Sequence, residues 1–276
     1  MGQNYSITSS LGGKISITTF GNENISQKNC IILVHGFQGF KDWGYGPYFG
    51  EYFSNKGFFV ITFNFSHNGI GDDKFQFTEL EKFSNNTLTR EVTEIEDVVN
   101  AYQDNLFGEV ENPKIGIVGH SRGGAIALLT ASKLKNVKAI ATWGSVATFD
   151  RYSERQKEIW IKKGYIPITN MLNKEKMKLN ISLLHDFEKN KNDSLNIEKA
   201  VKKIEKPLAI FHGSEDLIVK IAEAKQLYDW TNKEFAKFEV IQSTGHTFGC
   251  VHPFKGTNDS FEELLDKTNK FFVENI

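Results

Sequence analysis

Gly119-His120-Ser121-Arg122-Gly123-Gly124 follows directly on the apolar run Ile115-Gly116-Ile117-Val118 and opens a stretch of helical character from Ala125. A serine in G-x-S-x-G is a candidate nucleophile. A sharp strand-to-helix turn holds its hydroxyl out, and the flanking glycines let strand and helix pass closely. The pattern alone recurs by chance in a chain with 23 glycines, so position has to decide. Here a buried-strand sequence precedes Ser121 and a helix follows. The N–H groups and positive dipole end of that helix would face any anion formed at the turn. The competing reading, Ser121 as a helix cap on a Gly-rich turn, is set aside on that context.

A serine hydroxyl attacks poorly until a base takes its proton. Of seven histidines, His246 in Ser243-Thr244-Gly245-His246-Thr247-Phe248-Gly249 lies directly after the last apolar run. A loop from the carboxyl edge of a sheet would return over the elbow there. His252, in the same loop, is the rival. His35, His120 and His212 end apolar runs beside glycines and read as turn-shaping residues with local hydrogen bonds, whereas His67 and His185 have no evident partner.

The base in turn needs a carboxylate to fix its tautomer and stabilise its imidazolium form. Asp216, in His212-Gly213-Ser214-Glu215-Asp216-Leu217-Ile218-Val219, is better placed to face inward than its neighbour Glu215. The bland alternative for Asp216 is a helix N-cap. Asp150 and Asp186 read as surface or helix-end charges. Backbone N–H donors for a developing oxyanion are expected from Arg122 and from Phe37 in His35-Gly36-Phe37-Gln38-Gly39-Phe40, with Gly36 and Gly39 as mere turn formers the alternative.

These residues require a scaffold that brings three loops to one edge. Segments 5–9 and 14–20, separated by Gly12-Gly13, read as an opening hairpin. Uninterrupted apolar runs at 30–34, 58–65, 115–119, 137–143, 208–211 and 238–241 suit strands buried on both faces of a parallel sheet. Between them, Leu88, Val92, Ile95, Val99, Tyr102 and Leu106 recur at helical steps, and 125–134, 221–230 and 261–273 also read as helices. The expectation is an α/β architecture: a mostly parallel, doubly wound eight-stranded sheet with helices on both faces. Residues 1–276 read as one domain. The stretch 148–204 reads as a helical insertion, possessing the length of a lid, between the sixth and seventh strands, with helices at 151–161, 174–187 and 195–205. An elaborated crossover with no gating role is the alternative.

Bulk properties narrow the partners. With 33 Lys+Arg against 34 Asp+Glu, the chain has no long-range field to attract polyanions, so nucleic acid is not expected. No apolar run approaches the roughly 20 residues of a membrane span. Cys30 and Cys250 make neither a disulfide framework nor a zinc pair, and no metal is expected. The start of the chain lacks the basic-then-apolar pattern of a secretion signal, and the expected compartment is the cytoplasm. Gly2 with Ser6 matches the short myristoylation template, but reads more simply as the approach to the first strand.

Taken together, His35-Gly36 after a strand, Gly119-His120-Ser121-Arg122-Gly123, His212-Gly213-Ser214-Glu215-Asp216 and Gly245-His246 resemble the α/β-hydrolase superfamily over nearly the whole chain. The order Ser121, Asp216, His246 is that of its triads. Gly36-Phe37-Gln38-Gly39-Phe40-Lys41-Asp42-Trp43 and Gly245-His246-Thr247-Phe248 resemble the serine aminopeptidase-like and cinnamoyl (feruloyl) esterase-like branch, which similarly carries an insertion between the sixth and seventh strands. That resemblance implies a serine nucleophile, a covalent acyl-enzyme and no cofactor. The expected activity is hydrolysis of a small-molecule carboxylic ester with a small to medium or aryl-containing acyl group. A peptidase or amidase of the same fold is the second reading, and a non-catalytic binding module the third. Dehalogenase chemistry is disfavoured because it would place an aspartate where Ser121 stands. Substrate-contacting residues are unassigned, and the oligomeric state, a homodimer included, stays open.

Overall fold

The apolar runs of the sequence become the strands of one sheet. In the computed structural model, which describes residues 2–111 and 113–276, the chain passes through β1 (Gln3–Thr8), β2 (Lys14–Phe20), β3 (Cys30–Val34), α1 (Gly46–Asn55), β4 (Phe59–Asn64), α2 (Leu80–Ser84) and α3 (Leu88–Gln103). It continues through β5 (Ile115–His120), α4 (Arg122–Ala131), β6 (Val137–Trp143), α5 (Glu154–Lys163), β7 (Tyr165–Thr169), β8 (Lys176–Asn180), α6 (Ile181–Asn190) and α7 (Ile197–Lys202). Finally come β9 (Leu208–Gly213), α8 (Ile221–Trp230), β10 (Ala236–Ile241) and α9 (Asp259–Asn275). Met1 of the acylation template lies outside the described residues; Gly2 sits against Thr18 and Phe20 of β2.

Among the described residues, eight strands form a sheet in the order β1-β2-β4-β3-β5-β6-β9-β10, while β7 and β8 make a separate antiparallel ribbon. β2 runs antiparallel to β1 and β4, and the pairings from β4 through β10 are parallel. Every residue of β3, β4, β5 and β9 is buried, which explains why their sequences show no alternation. Successive side chains still go to opposite faces. Ile31 and Leu33 join Phe49, Phe53, Phe261 and Leu264 under α1 and α9, whereas Cys30, Ile32 and Val34 join Ile95, Val99, Ile126 and Leu227 under α3, α4 and α8. The doubly wound α/β sheet expected from the sequence is the one observed.

α3 illustrates how the helices attach. Leu88, Val92, Ile95, Val99 and Tyr102 are buried along one stripe, and Thr87 caps the start by accepting the Arg90 N–H. Leu106, the last position of the expected stripe, falls beyond the helix and is exposed.

The segment between β6 and β9 departs from expectation in one respect. α5 (Glu154–Lys163) overlaps the helix expected at 151–161 and α7 lies within 195–205, but 174–187 divides into β8 and the start of α6. Lys176-Met177-Lys178-Leu179 alternates polar and apolar, and a ribbon lets Met177 and Leu179 face inward while both lysines stay in water. Pro167 occupies an exposed position of β7, where a two-stranded ribbon tolerates its missing N–H. The segment is tied down at several points. Asp186 accepts both the N–H and the hydroxyl of Thr89 in the first turn of α3, at 2.9 and 2.5 Å. Asn180 Nδ2 donates to Ser84 Oγ and Asn85 Oδ1. Asp186 is therefore a tether to α3 rather than a free surface charge, while Asp150 is exposed and pairs with Lys157. Among the described residues, no helix is long and apolar enough to cross a membrane.

Candidate active site

β5 ends at His120, and the chain turns into α4 through a single residue. Ser121 takes φ 56° and ψ −124°, a conformation disfavoured for any residue with a side chain. Its N–H donates to the Trp143 carbonyl at 2.9 Å, and its own carbonyl accepts the Gly124 N–H at 3.0 Å. The glycines around it are a packing requirement. A Cβ on Gly123 would sit 2.4 Å from the His35 carbonyl oxygen and 2.6 Å from that of Val34. One on Gly119 would sit 2.5 Å from the Gly123 carbonyl oxygen. The helix can thus begin beside β3 only with hydrogen at these positions.

Asp216 and His246 come together from the loops after β9 and β10. His246 Nδ1–H donates to Asp216 Oδ2 at 2.7 Å, which leaves Nε2 as the acceptor nitrogen. Asp216 Oδ1 accepts the N–H groups of Ile218 and Val219, each at 2.9 Å. Burial alone would raise this carboxyl; the His246 hydrogen bond and charge, with the two N–H donors, outweigh it and hold Asp216 below the usual carboxylate range. Glu215 points into solvent, so the choice between adjacent acids falls on Asp216.

Two further histidines hold this pair, and the sequence reading gave them only local roles. His120 Nε2–H donates to the His246 carbonyl at 2.9 Å, across 126 residues. His212 Nε2–H donates to the Val219 carbonyl at 2.8 Å and lies 3.4 Å from Asp216 Oδ2. Burial, followed by the neighbouring His246, lowers the His120 pKa to about 3, and burial likewise lowers that of His212. Both rings are neutral donors that brace the Asp216 and His246 loops. His252 takes a different place: its Nδ1 accepts the Gly44 N–H at 3.0 Å and its ring stacks on Trp43. His35 bonds locally, as expected, through Nδ1–H to the Gly36 carbonyl at 2.9 Å.

The loop after β3 closes against the serine. A Cβ on Gly36 would lie 2.9 Å from Ser121 Cβ, so the backbone of Gly36-Phe37 passes beside the hydroxyl, and the Arg122 N–H starts α4 on the other side. The Arg122 side chain folds over Phe37, with its guanidinium carbon 4.5 Å from the ring centroid, and its Nη2 donates to Glu91 Oε1 at 2.5 Å. Burial pushes the Glu91 carboxyl up against the opposing pull of Arg122. Glu91 carries no motif and lies 31 residues from its partner, so no sequence signal marks it.

Ser121 and His246 open into a cavity of about 610 Å³. Phe37 and Leu88 contribute walls from the loop after β3 and from α3, and Val146, Trp160, Leu184 and Phe187 from the segment between β6 and β9. Its two lining cations, Arg122 and Arg151, are paired with Glu91 and Glu223, and no Asp or Glu is among the lining residues. The space is mostly apolar, with Ser121 and His246 at one edge. Among the described residues, no group of three or more His, Cys, Asp or Glu is arranged to hold a metal ion.

A parallel sheet with these three loops at one edge is the α/β-hydrolase architecture. Within that superfamily the chain belongs to the dienelactone hydrolase family, which it matches over residues 17–275. Comparison with the curated proteins finds no significant match. Among solved structures, Est1E from Butyrivibrio proteoclasticus with ferulic acid bound is similar at TM-score 0.72 and 19% identity, covering 98% of each chain. The α/β hydrolase GrgF from Penicillium sp. sh18 has TM-score 0.75 at 16% identity, over 98% of this chain and 97% of that one. The esterase domain of a Rhodothermus marinus protein has TM-score 0.67 at 16% identity, over 100% and 99%. The superfamily named from the motifs is thus the right one, and the family is now specified.

Proposed function

We propose that this protein is a cofactor-free, cytoplasmic serine esterase acting on a small-molecule ester with an apolar acyl group. Ser121 Oγ attacks the ester carbonyl as His246 Nε2 takes its proton, and Asp216 holds the imidazolium that results. The N–H groups of Phe37 and Arg122 donate hydrogen bonds to the developing oxyanion. His246 then gives the proton to the departing alcohol, leaving an acyl-enzyme on Ser121, and water activated by the same histidine releases the acid. In this reading residues 1–276 form one domain, and 148–204 acts as a cap over the acyl cavity.

The observation that carries the reading is the 2.7 Å Asp216–His246 hydrogen bond at the edge of an apolar cavity that Ser121 also lines. Ester is favoured over peptide because, among the described residues, no carboxylate lines the cavity to hold a free amine. The test is a panel of aryl esters of rising acyl length, hydroxycinnamate esters and aminoacyl-arylamides. Turnover is expected with the esters. Preference for the arylamides would replace the esterase with an aminopeptidase.

A further inference from the structure

Gln38 joins the loop after β3 to the β7–β8 ribbon by a two-point contact. Its Nε2–H donates to the Thr169 carbonyl at 3.0 Å, and its Oε1 accepts the Met171 N–H at 2.8 Å. These partners lie 131 and 133 residues away in sequence, at the end of β7 and in the turn that follows. An amide matched at both its donor and its acceptor is fixed in orientation, and it grips main chain rather than a mobile side chain. The turn is also closed on itself, through Asn170 N–H to the Glu175 carbonyl and Lys174 N–H to the Asn170 carbonyl, so a hold at 169 and 171 is a hold on the ribbon.

What lies at each end gives the contact its meaning. Gln38 has φ 57°, in the left-handed region that a non-glycine residue keeps only when its surroundings impose it. The preceding residue, Phe37, offers the N–H proposed for the oxyanion, with its ring under Arg122. Met171 and Gln38 both line the cavity. A side chain that sets the ribbon's position therefore also restrains the backbone beside the nucleophile.

We propose that Gln38 is a positioning residue that couples the seating of the β7–β8 ribbon to the loop after β3, and so favours esters whose acyl chain is long enough to reach the ribbon. This rests on the serine-esterase reading of the same site. Gln38→Met keeps the side-chain length and removes both hydrogen bonds. Two readouts apply, kcat and KM for aryl acetate and aryl octanoate, and hydrogen exchange at the Met171 amide. Loss of the two hydrogen bonds should lower kcat/KM for octanoate roughly tenfold more than for acetate, with KM rising for octanoate, and should speed Met171 exchange by a similar factor. Gln38→Ala should repeat both effects. Equal loss with both esters at unchanged KM would mark a general structural defect and overturn the proposal. Unchanged exchange at Met171, or a wild type that hydrolyses acetate but not octanoate, would overturn it as well. A wild type inert toward every ester would overturn the esterase reading and the selectivity with it, while the exchange arm would still judge the contact itself.

Discussion

Glu215 and Asp216 are neighbours of the same charge with opposite surroundings. One is in solvent; the other is buried, with three hydrogen-bond donors on its two oxygens. Asp216→Asn should therefore lower kcat by roughly 10³–10⁴-fold, because the amide no longer holds His246 in the tautomer with a free Nε2. Glu215→Gln should stay within about twofold of wild type, since exposed substitutions away from such networks have small effects. Steady-state kinetics on both variants checks this, and similar losses in the two would contradict the assignment of the acid. Ser121, Asp216 and His246 could be singled out in sequence as candidates because each follows an apolar run and each residue type has a specific chemical use. His120, Glu91 and Gln38 could not, because what each does depends on a partner 126, 31 or 131 residues away. Residue type alone says nothing about such pairings.

The elbow between β5 and α4 sets where Ser121 sits. Gly119 and Gly123 fill gaps that end on backbone atoms, which cannot move aside as a flexible side chain could. Gly123→Ala should lower stability by about 1–3 kcal/mol or more through overpacking, and should displace Ser121 from β3. Thermal melts paired with kcat would check it; a variant with wild-type Tm and activity would show that the turn has slack. Strand-turn-helix was readable here because an apolar run, a Gly-rich turn and a helical stretch follow without interruption. β8 falls inside the helix expected over 174–187 because Lys176-Met177-Lys178-Leu179 is only four residues of alternation beside a genuine helix. Its strand character is completed by pairing with β7, a contact that local periodicity does not contain.

For the whole molecule, acid is the revealing condition. Burial lowers the pKa of His35 to about 4 and that of His120 to about 3, and lowers that of His212 as well, from an ordinary value of 6.5. Below pH 6.5 the unfolded chain takes up protons that the folded one refuses, so stability falls as pH drops from 6.5 toward 4. The slope is about 1.4 kcal/mol per pH unit for each such group. Urea midpoints should decline steadily between pH 7 and 4.5; a flat profile would contradict the neutral, buried state of these rings. The three-layer architecture, helices on both faces of one sheet, was legible at this scale because the uninterrupted apolar strands announce both faces as covered. The cavity was not, since its walls combine core residues with Trp160, Leu184 and Phe187, which sequence alone does not bring together. The proposed chemistry turns on one atom of the intact protein, Ser121 Oγ, which intact-mass spectrometry after treatment with a fluorophosphonate ester probes. One covalent adduct per chain is expected, carried by the Ser121 peptide and absent in Ser121→Ala. An unmodified Ser121 in folded wild-type protein, or an equal adduct on Ser121→Ala, would contradict it.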